Sequence, residues 1–169
     1  MKNWSLAFVV VAIAGLLLTG CAKQEKRVVL SSAAGEPITS KVLVNVDDTG
    51  LALQGYDPVA YFTVGKPVKG DARFRSAYRG AVYHFSSAEH KRMFEQDPAK
   101  YEPQFGGFCG YAASIHKVSP ISVEFWEVLN GRLVLQHNQK AWDLWHKDVP
   151  GNLVKADRNW PELSEQHGQ

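Results

Sequence analysis

The residues best suited to chemistry gather in one stretch, Gln104-Phe-Gly-Gly-Phe-Cys-Gly-Tyr-Ala-Ala-Ser114. Cys109 lies at its centre and is one of only two cysteines in the chain. A thiolate is a nucleophile, a redox centre and a ligand for soft metal ions. Gly106, Gly107 and Gly110 crowd it, and glycine serves where φ must be positive or where backbones approach closely. Phe105, Phe108 and Tyr111 alternate through the same run. A small thiol, a tight backbone and aromatic walls point to a shaped pocket. Its lining would be Gly106, Gly107, Phe108 and Tyr111, with Tyr56 from upstream.

Histidines supply the other candidate groups. His116 follows Cys109 by seven residues and is a candidate ligand or base. His90 falls on a predicted helix, three and four residues from Met93 and Phe94, where it either packs against the core or offers a ring nitrogen. His84, His137 and His146 are placed at a strand face, a hairpin end and a helix surface. No Ser-His-Asp spacing, phosphate-binding glycine loop, zinc-protease helix or paired-carboxylate site is present.

Three readings of Cys109 follow. With one or two histidines it would hold a metal ion, copper or another soft ion, although one thiolate makes a weaker site than several. As a redox thiol it would pass through a sulfenic acid or a mixed disulfide, drawing on an external reductant because no resolving cysteine exists. As a small buried hydrophobe it would be inert. Its accessibility discriminates among them.

The elements that must position these groups lie in the second two thirds of the chain, where the aromatics concentrate. The 169 residues are 45% hydrophobic and 21% charged, ordinary for one globular domain with attachments. A net charge of +2 provides no basic field of the kind nucleic acid requires. At the N-terminus, Lys2 precedes an apolar run from Leu6 to Leu18, too short for a comfortable membrane span. It ends in Leu18-Thr-Gly-Cys21, which resembles the lipobox of bacterial lipoproteins. That resemblance implies a signal peptide over 1–20, cleavage before Cys21, and lipidation of Cys21. Several acyl chains, each buried CH₂ contributing about 0.8 kcal/mol, would anchor the chain in the cell envelope. Ala22 follows, rather than an aspartate that resembles an inner-membrane retention signal, which favours an outer membrane facing the periplasm. Residues 21–40 then read as lipidated cysteine and flexible tether, 41–163 as the domain, and 164–169 as a polar tail.

Within the domain, Lys41 to Val46 alternates as a first strand. Asp57-Pro58 caps a short helix reaching about Thr63. Phe74–Arg79 and Ala81–Phe85 form a hairpin turning at Arg79-Gly80. Ser86 or Ser87 caps a helix to about Gln96, and Asp97-Pro98 stops it. Asn130-Gly131 turns a second hairpin between Ser122–Val128 and Arg132–Gln136. Asn138 caps a helix to about Lys147, Pro150-Gly151 breaks it, and Asn152–Trp160 forms a last short helix. No internal repeat is evident. Hairpins separated by helices indicate an α+β fold, one compact domain of small antiparallel hairpins packed with short helices.

Four ordered segments carry a family resemblance: Gly55-Tyr-Asp-Pro-Val-Ala-Tyr-Phe62, Tyr83-His-Phe-Ser-Ser87, Asp97-Pro-Ala-Lys-Tyr101 and Gly106-Gly-Phe-Cys-Gly-Tyr111. Together they resemble the YHS domain, in its extracytoplasmic, lipid-anchored branch, from about Val46 to Leu163. The resemblance implies a treble-clef-related core and, from the short YHS domains attached to copper-transporting ATPases, metal binding. Those domains carry cysteines in Asp-Pro-Val-Cys and Phe-Cys-x-x-x-Cys segments. Here the corresponding residues are Ala60, Ser86 and His90, so only His90 keeps a ligand atom. In some relatives selenocysteine takes the place of Cys109, which favours a reactive role for that thiol.

Overall fold

The computed structural model describes residues 41–169. The signal-peptide and tether readings, Cys21 included, lie outside these residues. The described chain is α+β, as expected. Its elements are α1 (Ala60–Thr63), β1 (Asp71–Tyr78), β2 (Ala81–Phe85), α2 (Ala88–Gln96), α3 (Pro98–Tyr101), α4 (Gly110–Ser114), β3 (Ser122–Leu129), β4 (Arg132–Gln136), α5 (Gln139–Trp145) and α6 (Val149–His167). β1 pairs antiparallel with β2, and β3 with β4, as separate two-stranded sheets. A two-stranded ribbon is marginal alone. Each therefore depends on the helices packed against it, β1–β2 on α2 and β3–β4 on α4 and α5.

The two halves are built on one plan, which corrects the expectation of no repeat. Ala52 N donates to Val82 O, and Gln104 N donates to Leu133 O, both at 2.8 Å. Three left-handed residues follow in each half: Leu53, Gln54 and Gly55 (φ 52°, 53°, 74°), then Phe105, Gly106 and Gly107 (φ 54°, 54°, 76°). An aromatic comes next (Tyr56, Phe108), then a capping residue (Asp57, Cys109), then a short helix (α1, α4). Both hairpins turn through two left-handed residues, Arg79-Gly80 and Asn130-Gly131. Both shift register near their start, between Asp71 and Arg75 and between Ser122 and Trp126. Ser87 and Asn138 then cap α2 and α5. Asp97 and Asp148, in matching backbone conformations (φ −149° ψ 73°, φ −159° ψ 71°), cap α3 and α6, each with proline in the first turn. Phe94 and Trp145, both fully buried, fill the two cores. The sequence hides this because the shared features are backbone conformations and caps, which different side chains satisfy.

Two further expectations are corrected. Lys41 to Val46 does not form a strand; only Val46 bridges, to Ala52. Its partners come from irregular backbone: Val42 exchanges hydrogen bonds with Gln169, and Asn45 N donates to Gly106 O at 2.8 Å. The last helix is longer than expected and absorbs most of the polar tail. Pro150 sits in the first turn, where its missing N–H costs nothing, and Asp148 accepts from Gly151 N at 3.0 Å. α6 runs on through Pro161, and buries Ala156 and Leu163.

Candidate functional site

Cys109 opens α4 and is 1% exposed. It lies in a core cluster with Leu53, Tyr61, Ile121, Leu133 and Leu135. Its Sγ donates to Gln136 Oε1 at 3.2 Å and accepts from Ala112 N at 3.5 Å. Burial pushes the thiol up, and the backbone N–H groups of Ala112, His137 and Tyr111 pull it partly back. The glycines serve close packing rather than a pocket. A Cβ on Gly106 would run into the Leu43 carbonyl, and one on Gly110 would come within 2.8 Å of Val134. Gly107 O accepts from the Asn45 side chain at 2.9 Å, and Phe108 lies beside Trp160 with ring centroids 6.2 Å apart. Tyr111 packs half-buried between two core clusters. Tyr56 carries Lys69 Nζ over its ring at 4.7 Å.

Neither histidine paired with Cys109 from the sequence joins it. His116 is exposed on a left-handed backbone, 3.8 Å from Glu162. His90 belongs to the first unit. Among the described residues, no three His, Cys, Asp or Glu side chains converge as a metal-binding group. Of the other histidines, His137 Nδ1 lies 3.0 Å from Pro120 O, and His146 stacks on Trp142 and lies 3.4 Å from Glu127.

The structure gathers a different constellation around Asp57, a fully buried acid (0% exposed). The left-handed turn at 53–55 delivers it to the start of α1, where Oδ1 accepts from Val59 N (2.9 Å) and Ala60 N (3.3 Å). Oδ2 accepts from Ser86 N (2.8 Å), Ser86 Oγ (2.6 Å) and His90 Nδ1 (2.6 Å). Ser86 follows β2 directly, and His90 stands one turn into α2 behind its Ser87 cap. Every partner of the Asp57 side-chain oxygens is a donor, which suits a carboxylate and fixes the His90 ring with its proton on Nδ1. Nε2 then faces Thr63 Oγ1, 3.2 Å away on the exposed end of α1, and the His90 side chain is 14% exposed. A histidine that donates one ring N–H to a carboxylate has the orientation typical of a metal ligand at its other nitrogen.

The sequence placed Asp57 as a cap and His90 as a candidate ligand, but left them apart. Asp57 does cap α1 through Oδ1; Oδ2 was the missed half. The available signal was the spacing of Ser86 and His90, four apart across a helix start. Both are positions at which the family resemblance implies cysteine, as is Ala60, whose N–H also meets Asp57. Three positions at which the resemblance implies cysteine thus gather around Asp57: Ser86 and His90 through a hydroxyl and an imidazole, and Ala60 through its backbone N–H. They do not fit a thiolate site for Cu(I). They do fit a single oriented imidazole, which suits zinc, copper(II) or nickel.

No curated protein and no solved structure matches the chain. The model of the YHS domain family matches residues 59–104, the body of the first unit and not the Cys109 loop. Over this stretch, from α1 through the first hairpin to the residues after α3, the chain matches the YHS domain family.

Proposed function

We propose that the protein is a lipid-anchored lipoprotein of the cell envelope, outer membrane in a two-membrane cell, whose YHS domain takes a borderline divalent metal ion on Nε2 of His90. One observation carries the metal reading: the 2.6 Å hydrogen bond from His90 Nδ1 to buried Asp57. It presets the ring and enriches Nε2 as a donor before any ion arrives. The domain supplies one imidazole, so water or donors from a partner molecule complete the coordination. Such an open site suits acquiring or passing on an ion better than storing it. Loss of the family's thiolates moves the preference from Cu(I) toward Cu(II) and Zn(II).

The envelope reading rests on the Leu18-Thr-Gly-Cys21 segment behind its apolar run. No helix among the described residues is long and apolar enough to cross a membrane. Lipid on Cys21 would supply the attachment. Cys109 serves as a packing residue in this account. At 1% exposure it offers no face to a metal or to a protein reductant.

Zinc titration of the protein, followed through the ring nitrogens by NMR, tests the metal site. His90 Nε2 should shift first, and His90→Ala should abolish the first event while His116→Ala and Cys109→Ser leave it intact. A titration that survives His90→Ala sinks the assignment. Metabolic labelling with a radioactive fatty acid tests the anchor; labelling that persists in Cys21→Ala sinks it.

A further inference from the structure

We propose that Cys109 is a modification site, at which a hydroperoxide drives the thiol to a sulfinate held in a nest built for an acid. Two observations point there. The first is the internal repeat, in which Cys109 is the counterpart of Asp57. Val59 N, Ala60 N and Ser86 N converge on the Asp57 carboxylate. Of their counterparts, Ala112 N donates to Cys109 Sγ at 3.5 Å, and Tyr111 N donates to Gln136 Oε1 beside it at 2.9 Å. The second is Gln136, which is 0% exposed. Its Oε1 takes Cys109 Sγ and Tyr111 N, while Nε2 is the one buried side-chain polar atom among the described residues without a partner. A buried donor without an acceptor is rare and calls for an explanation.

A sulfinate answers both features. Like aspartate, it places two acceptor oxygens on the atom bonded to Cβ. Tyr111 N and Ala112 N would then bond one oxygen, as Val59 N and Ala60 N bond Oδ1. Relieved of the thiol proton and of Tyr111 N, the Gln136 amide turns its Nε2 to the other oxygen, exchanging a stranded N–H donor for a carbonyl oxygen, the less costly group to leave under-satisfied. Each step balances. The thiol and one hydroperoxide give sulfenic acid and water (or alcohol), with the O–O bond breaking and an S–O bond forming. A second hydroperoxide gives sulfinic acid and a second water or alcohol. The sulfinic proton leaves to solvent, and the charge stays among the N–H groups. Burial excludes a protein partner but admits a small oxidant during local opening, so the reaction is slow and stoichiometric. It is independent of metal at His90.

The full chain, treated with hydrogen peroxide while folded, is digested and the Cys109 peptide weighed. The expected result is accumulation of the doubly oxygenated cysteine with cooperative unfolding retained. Recovery of the free thiol, progress to the triply oxygenated form, or double oxygenation only with loss of cooperative unfolding overturns the proposal. A second arm compares Cys109→Asp with Leu135→Asp, a core neighbour that lacks the nest. Cys109→Asp should fold and unfold cooperatively where Leu135→Asp does not; equal collapse of the two overturns it.

Discussion

Replacing Asp57 should cost more than any other polar substitution in the first unit, and Asp57→Asn should recover only part of the loss seen in Asp57→Ala. Four of the five donors on the carboxyl lie within 2.9 Å: Val59 N, Ser86 N, Ser86 Oγ and His90 Nδ1. The fifth, Ala60 N, also reaches Asp57 O at 3.3 Å and keeps that partner after truncation. At roughly 1 kcal/mol net per close bond, Asp57→Ala loses about 4 kcal/mol. That is a large share of the ~5–15 kcal/mol a domain has in total, and lowers Tm by roughly 10–20 °C. Asparagine keeps the shape but presents its NH₂ to a donor whichever way it turns. With Oδ1 toward Val59, the Ser86 N–H is stranded; flipped, the Val59 N–H is, while Ala60 N keeps Asp57 O. Ser86 Oγ and the other His90 tautomer adapt, so Asp57→Asn costs about 2–3 kcal/mol, chiefly one buried unsatisfied N–H. Urea unfolding of wild type, Asp57→Ala, Asp57→Asn and Ser86→Ala measures the series. An asparagine variant within about 0.5 kcal/mol of wild type, the range of an ordinary surface change, would refute the donor count.

Gly106→Ala should destabilise well beyond Gly131→Ala. Both are left-handed (φ +54° and +76°), a cost of about 1–2 kcal/mol for a Cβ. Only Gly106 also faces the Leu43 carbonyl, and holding Asn45 N becomes impossible if that segment moves; equal effects in urea titrations would contradict the packing. Glu102 is held above its ordinary value of 4.5, because burial outweighs the Arg79 charge. The folded chain therefore binds this proton more tightly than the unfolded chain, and stability falls as pH rises above 4.5. Glu102→Gln should remove that decline and stabilise the neutral protein relative to wild type, converging with it in acid; a variant less stable at neutral pH would show that the Arg79 pair dominates. Cys109→Val fills the thiol's space but leaves Gln136 without its sulfur partner, so a loss of about 1–2 kcal/mol in Tm-based ΔΔG is expected, with zinc binding unchanged.

What the sequence made legible was local. Asn130-Gly131 and Arg79-Gly80 read as hairpin turns because few residue pairs accept consecutive left-handed conformations. Ser87, Asn138 and the Asp57-Pro58 pair read as caps from their hydrogen-bonding chemistry. The α+β class followed from those signals. The repeat was illegible because it is carried by backbone. Leu-Gln-Gly and Phe-Gly-Gly make the same turn, aspartate and cysteine fill the same nest, and Phe94 and Trp145 fill equivalent cores. Pro150 read as a breaker because its place in the first turn depends on Asp148 capping before it. Cys109 was ambiguous because glycines serve close packing and ligand access alike; only its neighbours decide. Asp57 was read halfway, since one oxygen sufficed for the cap and nothing local announced that Ser86 and His90 would meet the other.

The central claim is that Asp57 presents His90 Nε2 to a metal ion. Its most direct measurement is zinc affinity, read from the His90 ring nitrogens by NMR, in wild type and in Asp57→Asn under conditions where the variant remains folded. Loss of the orienting carboxylate should weaken binding roughly 10–100-fold while His90 remains the site. Unchanged affinity, or zinc that never perturbs His90, would contradict it.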